Sequence, residues 1–133
     1  MGRKEEYKEK NLQFISELSR QEGICSLSCN IYYKILESST ANISPNVRNI
    51  VTVHYKGSLI NGREFDNSYE RGCPEAFRLS DVIEGWQLAL QQMHIGDKWV
   101  IYIPYTMGYG ARTLGPIPAF STLIFEVELL GIA

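Results

Sequence analysis

The spacing of hydrophobic positions changes along the chain, and each change marks an element. Leu12, Ile15 and Leu18 recur at intervals of three, and Phe14 and Leu18 are four apart, in an otherwise charged stretch from about residue 3 to 22. That spacing predicts an amphipathic helix ended by Gly23. From Ile31 the period drops to two. Ile31, Tyr33 and Ile35 alternate with Tyr32, Lys34 and Leu36; Val51, Val53 and Tyr55 alternate with Thr52, His54 and Lys56. Both runs read as strands. The polar stretch from Ser38 to Asn49, which includes Pro45, is a loop between them. Asn61-Gly62 predicts a tight hairpin, because both residues tolerate positive φ, and Phe65 lies on the returning strand. Phe77 with Leu79 marks another short strand.

Val82, Trp86, Leu90 and Met93 then share one helical face. Ser80 or Asp81 is placed to cap that helix and Gly96 to end it. Trp99, Ile101 and Ile103 alternate up to Pro104. Tyr105 to Phe120 is a long connection rich in Gly and Pro, and long loops in small domains tend to carry function. The last strand sets Leu123, Phe125, Val127 and Leu129 against Ile124, Glu126, Glu128 and Leu130. Strands outnumber helices and the connections suit antiparallel pairing. The fold class is therefore α+β: an antiparallel sheet with one amphipathic helix on a face, preceded by an N-terminal helix.

Composition narrows the function. A chain of 133 residues with 44% hydrophobic and 21% charged content fits one soluble domain. A net charge of −2 gives no nucleic-acid surface, and no apolar run is long enough to span a membrane. The charged start, Met1 to Glu6, leads into no apolar segment, which predicts a cytoplasmic protein; a periplasmic one is the alternative if a signal peptide was removed. Three cysteines, Cys25, Cys29 and Cys73, form an odd set without zinc spacing, so reduced thiols and no metal are expected.

Hydrolytic chemistry finds little support. His54 lies on the strand face opposite Tyr55, and His94 sits near a helix end; neither is paired with a nucleophile. Glu126 and Glu128 share an outward strand face, as solvated charges do. Gly108-Tyr109-Gly110 lacks the Lys of a phosphate loop. What remains is a set of aromatics: Tyr55, Phe65, Trp86, Tyr109 and Phe125. They can form a core. Asp66 beside Phe65, and Tyr109 between glycines, would equally serve as polar handles at the rim of an apolar ligand cavity.

Val53-His54-Tyr55-Lys56-Gly57, Gly62-Arg63-Glu64-Phe65-Asp66-Asn67-Ser68, Val82-Ile83-Glu84-Gly85-Trp86, Tyr109-Gly110-Ala111 and Ile117-Pro118 run in order into Thr122 to Leu130. From about Ile31 onward, these blocks resemble the FKBP-type peptidyl-prolyl cis-trans isomerases, in the bacterial form with a short N-terminal helical extension. The resemblance implies a sheet half-wrapped around one helix, with residues 1–26 as the extension and 27–133 as the isomerase domain. It implies Trp86 as pocket floor, with Tyr55, Phe65, Val82, Ile83, Ile117 and Phe125 as walls. The Ile83 N–H and the Tyr109 hydroxyl would hold substrate carbonyls, and Asp66 would sit on the polar side with Arg71 as its basic neighbour. Glu75 or Ala76 stands where relatives carry a further aromatic wall, so that side is expected to be more open or polar. Phe120 and a slightly short loop from Ala111 to Pro116 depart from the family pattern, which bears on substrate preference and macrolide affinity.

The function so implied is catalysis of Xaa–Pro rotation in proteins, with no cofactor. The alternative is a proline-binding chaperone or interaction module with weak catalysis. Expected partners are proline-containing protein clients, an immunosuppressant macrolide as a candidate ligand, and a second copy bound through the N-terminal helix. No nucleic acid and no membrane are expected.

Overall fold

Alternation builds the sheet. In the strand β3 (Ile50–Ser58), Val51, Val53 and Tyr55 are buried while Thr52, His54 and Lys56 face outward. The last strand, β7 (Leu123–Ile132), buries Leu123, Phe125, Val127 and Leu129 in the same way. The two pair antiparallel from Val51↔Ile132 to Ser58↔Ile124, so their apolar sets fall on one face. The computed structural model describes residues 2–133. Its other strands are β1 (Cys25–Ser26), β2 (Tyr32–Glu37), β4 (Glu64–Asn67), β5 (Glu75–Arg78) and β6 (Lys98–Ile103). They join in the order β1-β2-β6-β7-β3-β4, and β5 also pairs with β3.

The helices are α1 (Arg3–Leu18), one short turn α2 (Ser68–Arg71), and α3 (Glu84–Leu90). Trp86, Ala89 and Leu90 of α3 join the buried faces of β3, β6 and β7 in one hydrophobic cluster. This is the expected antiparallel sheet with a helix against it. Gly85 permits the close approach: a Cβ there would come within 2.5 Å of the Ile103 side chain. Among the described residues no helix is long and apolar enough to cross a membrane.

Several local expectations change. The first helix ends at Leu18, where Ser19 bonds Ser16 O at 2.7 Å and the next residues turn toward Gly23. Its buried face is Asn11, Ile15 and Leu18, while Leu12 is 46% exposed. The helix α3 begins only after Ile83, with no side-chain cap from Ser80 or Asp81. Leu79–Asp81 form a 3-10 turn instead, leaving Val82 and Ile83 extended at the head of α3. Around Asn61-Gly62 only Gly62 takes positive φ (+87°), and a longer loop closes through Leu59 N–H to Arg63 O at 2.9 Å. Two consecutive left-handed residues occur elsewhere, at Cys29 (φ 61°) and Asn30 (φ 59°), where they turn β1 into β2. In β2, Ile31 just before the strand is buried and Tyr33 stacks on Trp99 at 4.1 Å. Ile35 and Leu36, where a bulge shifts the register, are exposed.

Candidate active site

Trp86 enters the sheet's inner face on the first turn of α3 and is 4% exposed. Three rings stand edge-on to its indole: Tyr55 at 5.2 Å and 88°, Phe125 at 5.2 Å and 86°, Phe77 at 5.7 Å and 90°. Each interplanar angle is near perpendicular, the preferred arrangement for aromatic quadrupoles. Phe65 closes the box, edge-on to Phe125 at 5.6 Å. Above the indole lies a cleft of about 620 Å³. It is lined by Tyr55, Phe65, Asp66, Phe77, Asp81, Val82, Ile83, Trp86, Tyr109, Leu114–Ile117 and Phe125.

Gly57 makes room for two of those rings. A Cβ at Gly57 would stand 2.6 Å from Phe65 Cζ and 2.7 Å from Phe125 Cε1. The glycine on β3 therefore decides where both side chains lie.

The polar side is one connected network. The Tyr55 hydroxyl donates to Asp66 Oδ2, and Arg71 Nη1 pairs with Asp66 Oδ1. Arg71 Nε is also 3.1 Å from Glu75 Oε1, and its guanidinium lies 5.8 Å from the Tyr55 ring centroid. Burial by itself pushes the Asp66 carboxyl up, but hydrogen bonds from Tyr55 and Arg71 and the nearby guanidinium charge outweigh it, and its pKa is lowered. Tyr55 is pushed up to about 12, first by burial and then by its bond to Asp66. Asp66 is thus an ionised acceptor, and Tyr55 a neutral donor, across the physiological range.

A buried serine fixes this wall. On one edge of β3, β5 pairs with Ile50–Val53 and β4 with Lys56–Ser58. The gap falls at His54 and Tyr55, where Ser68 of α2 stands in for a strand. Its hydroxyl accepts from Tyr55 N–H at 2.7 Å and lies 3.2 Å from Tyr55 O and 2.8 Å from His54 Nδ1. Ser68 has no exposed surface.

Donors ring the mouth. Ile83 O accepts from Trp86 N–H (3.0 Å) and Gln87 N–H (3.2 Å), while Val82 O accepts from the Gln87 side chain at 2.8 Å. The Ile83 N–H has no acceptor among the described residues and borders the cleft. Tyr109 is 37% exposed across the mouth. Burial and the Asp66 charge raise its pKa, so its hydroxyl stays protonated.

The nine residues expected to form the site, Tyr55, Phe65, Asp66, Val82, Ile83, Trp86, Tyr109, Ile117 and Phe125, all line this cleft, and Arg71 sits on Asp66 as expected. Both departures from the family pattern have a definite place. The side near Glu75 is polar, since Glu75 pairs with Arg71 at 3.1 Å; two positions along β5, Phe77 pairs with Val51 and its ring packs against Trp86. Phe120 does not line the cleft; it packs edge-on to Tyr105 at 5.1 Å, on the side of α1. Sequence reasoning also missed Asp81 and Leu114–Pro116. Phe77 was expected as a strand residue only, and nothing local marked the others.

A family model for FKBP-type peptidyl-prolyl cis-trans isomerases matches residues 41–130. The chain is 39% identical over 123 residues to FKBP-type peptidyl-prolyl cis-trans isomerase FkpA of Escherichia coli K12, covering 92% of this chain and 45% of that one. It is 40% identical over 125 residues to peptidyl-prolyl cis-trans isomerase Mip of Coxiella burnetii, covering 93% and 54% respectively. The chain spans about half the length of the curated relatives it matches. Among solved structures, a peptidyl-prolyl cis-trans isomerase from Pseudomonas syringae superposes with a TM-score of 0.90 at 34% identity, over 100% of this chain and 98% of that one. Escherichia coli FkpA superposes with a TM-score of 0.89 at 37% identity, over 96% and 59%.

Proposed function

The chain belongs to the FKBP-type peptidyl-prolyl cis-trans isomerase family, and we propose that it accelerates rotation about Xaa–Pro bonds in protein substrates by seating the prolyl ring on Trp86. The observation that carries this is the box of edge-on rings around a buried indole, beneath a mouth with a free backbone N–H at Ile83.

The bond turns slowly because rotation breaks amide resonance, a barrier of about 18–20 kcal/mol. Resonance places negative charge on oxygen and positive charge on nitrogen. Water stabilises that separation better than an aromatic box does, so transfer into the cleft favours the twisted, less polar state. Tyr55, Phe65, Phe77 and Phe125 supply the apolar walls. Donors at Ile83 N–H and Tyr109 hold flanking carbonyls, so that one side of the bond turns while the other is fixed. Lowering the barrier by ~4 kcal/mol gives roughly a thousandfold acceleration. No bond is broken, so neither nucleophile nor cofactor is called for. Asp66 holds Tyr55 and Arg71 in place on the polar side of the cleft.

The clients proposed are proline-containing proteins, and an immunosuppressant macrolide of the FKBP-binding class would compete for the cleft. Residues 1–26 would form a helical extension and residues 27–133 the isomerase domain. Exposed Leu12 on α1 supports a second copy as a partner of that extension. A binding or chaperone module with weak catalysis is the alternative use of the same cleft.

The test is isomerisation of a short peptide with a hydrophobic residue before proline, with and without the macrolide. Acceleration that the macrolide abolishes supports the proposal. Macrolide binding without acceleration favours the binding module. Neither signal from folded protein rejects both.

A further inference from the structure

The mouth of the cleft is held from outside the sheet. Asn11 lies on α1, more than a hundred residues from the loop it serves, and has no exposed surface. Its Oδ1 accepts from Thr122 N–H at 2.7 Å, and its Nδ2 donates to Tyr7 O at 2.8 Å. One turn earlier, the Tyr7 hydroxyl bonds Ser121 Oγ at 2.7 Å, and the Ser121 hydroxyl donates to Pro118 O at 2.7 Å. Lys8 stands 4.9 Å over the Phe120 ring and 5.8 Å from that of Tyr105. Three successive loop residues, Phe120, Ser121 and Thr122, are therefore each engaged by α1.

Those three positions lie next to the cleft in two directions. Pro118 follows Ile117, which lines the wall. Phe120 N–H donates to Gly110 O at 2.9 Å, and Gly110 follows Tyr109. Phe120 has φ +66°, a left-handed conformation that bulky residues avoid. A backbone in that region persists only when its surroundings over-determine it. Here the surroundings are Gly110 O, the Tyr105 ring and α1.

We propose that Asn11 is a positioning residue of the proline site: with Tyr7 it holds Pro118–Thr122 in the conformation that sets Ile117 and Tyr109 at the mouth. The proposal rests on the isomerase reading of the cleft. A polar residue on the buried face of a helix gives nothing to packing that an apolar residue would not give better. Its side-chain amide instead satisfies a loop N–H that would otherwise be buried without a partner.

The experiment compares kcat/KM and thermal stability in Asn11→Ala, Asn11→Asp and Leu129→Val. The last trims buried packing on β7 away from the loop. Asn11→Ala is expected to lose about tenfold in kcat/KM, mostly through KM, because the rim loosens while the Trp86 floor remains. Asn11→Asp keeps an acceptor for Thr122 N–H but loses the donor to Tyr7 O. It should recover to within about threefold of the parent even where it melts lower. Leu129→Val should melt lower with unchanged kcat/KM. If Asn11→Ala only melts lower, as Leu129→Val does, the proposal is overturned. If Asn11→Ala does not fold, Tyr7→Phe carries the test. It removes one hydroxyl, and an unchanged KM would overturn the proposal.

Amide exchange separates this inference from the isomerase reading. Should the parent chain show no acceleration, that reading fails. Exchange at Thr122 and Phe120 in Asn11→Ala still decides whether Asn11 holds the loop. About tenfold faster exchange there, with the β3–β7 amides unchanged, supports the hold; equal exchange overturns it.

Discussion

Tyr109 and Asp66 divide the polar work between them. Tyr109 offers a hydroxyl at the mouth with no hydrogen-bond partner among the described residues, and its raised pKa keeps it a donor. Tyr109→Phe should lower kcat/KM by about three- to tenfold, the range for losing one hydrogen bond worth ~0.5–1.5 kcal/mol, and leave the melting temperature nearly unchanged. A loss above a hundredfold would make it more than a carbonyl anchor. Asp66 is already charged at ordinary pH because Tyr55 and Arg71 hold its carboxyl low, and Tyr55 itself titrates only at about 12. The folded state therefore favours the Asp66 carboxylate. Its stabilising effect is present above the unfolded carboxyl value and is lost as pH falls through the lower folded value. A steady-state profile of kcat/KM should accordingly be flat from about pH 5 to 9. A bell centred near neutrality would mean that some other group transfers a proton, against rotation without bond cleavage.

At the scale of elements, the site depends on what strands and helix starts leave out. Gly57 on β3 leaves out a Cβ, and Phe65 and Phe125 fill its place. Gly57→Ala should push one ring into the cleft, costing ~1–3 kcal/mol of stability and raising KM for peptide more than it lowers kcat. Unchanged KM, with the stability lost, would show that the rings relax away from the substrate. Alternation made β3, β6 and β7 readable from sequence, together with every residue they contribute to the wall, because burial on one face forces period two. The head of α3 was less readable. Val82 belongs to the apolar periodicity of the helix, yet it is extended: the first helical N–H groups bond to Ile83 O, and the Gln87 side chain holds Val82 O. Phe77 was visible as a strand residue but not as a wall, since its register against Val51 is a tertiary fact. Asn11 was invisible because hydrophobic patterning has no place for a buried amide whose partner is a backbone N–H in a distant loop.

Over the whole molecule, the two tryptophans report on different places. Trp86 is the floor of the cleft, whereas Trp99 lies on β6 and stacks under Tyr33, away from the cleft lining. A proline-mimicking ligand that sits in the cleft must change the surroundings of one indole and not the other. The macrolide should therefore change intrinsic fluorescence in Trp99→Phe as it does in the parent chain, and should have no such effect in Trp86→Phe. A ligand seated in the cleft would bind the folded state alone, so on this proposal the macrolide should raise the melting temperature. At a hundredfold excess over Kd the gain is ~2.7 kcal/mol, or several degrees for a domain of this size. Phe125→Ala supplies the contrast. It opens a wall shared by cleft and core, so it should lose about 3–5 kcal/mol of stability along with ligand response. If Phe125→Ala kept full ligand response in a well-folded chain, the ligand would be binding elsewhere. The edge-on rings around Trp86 would then belong only to the core.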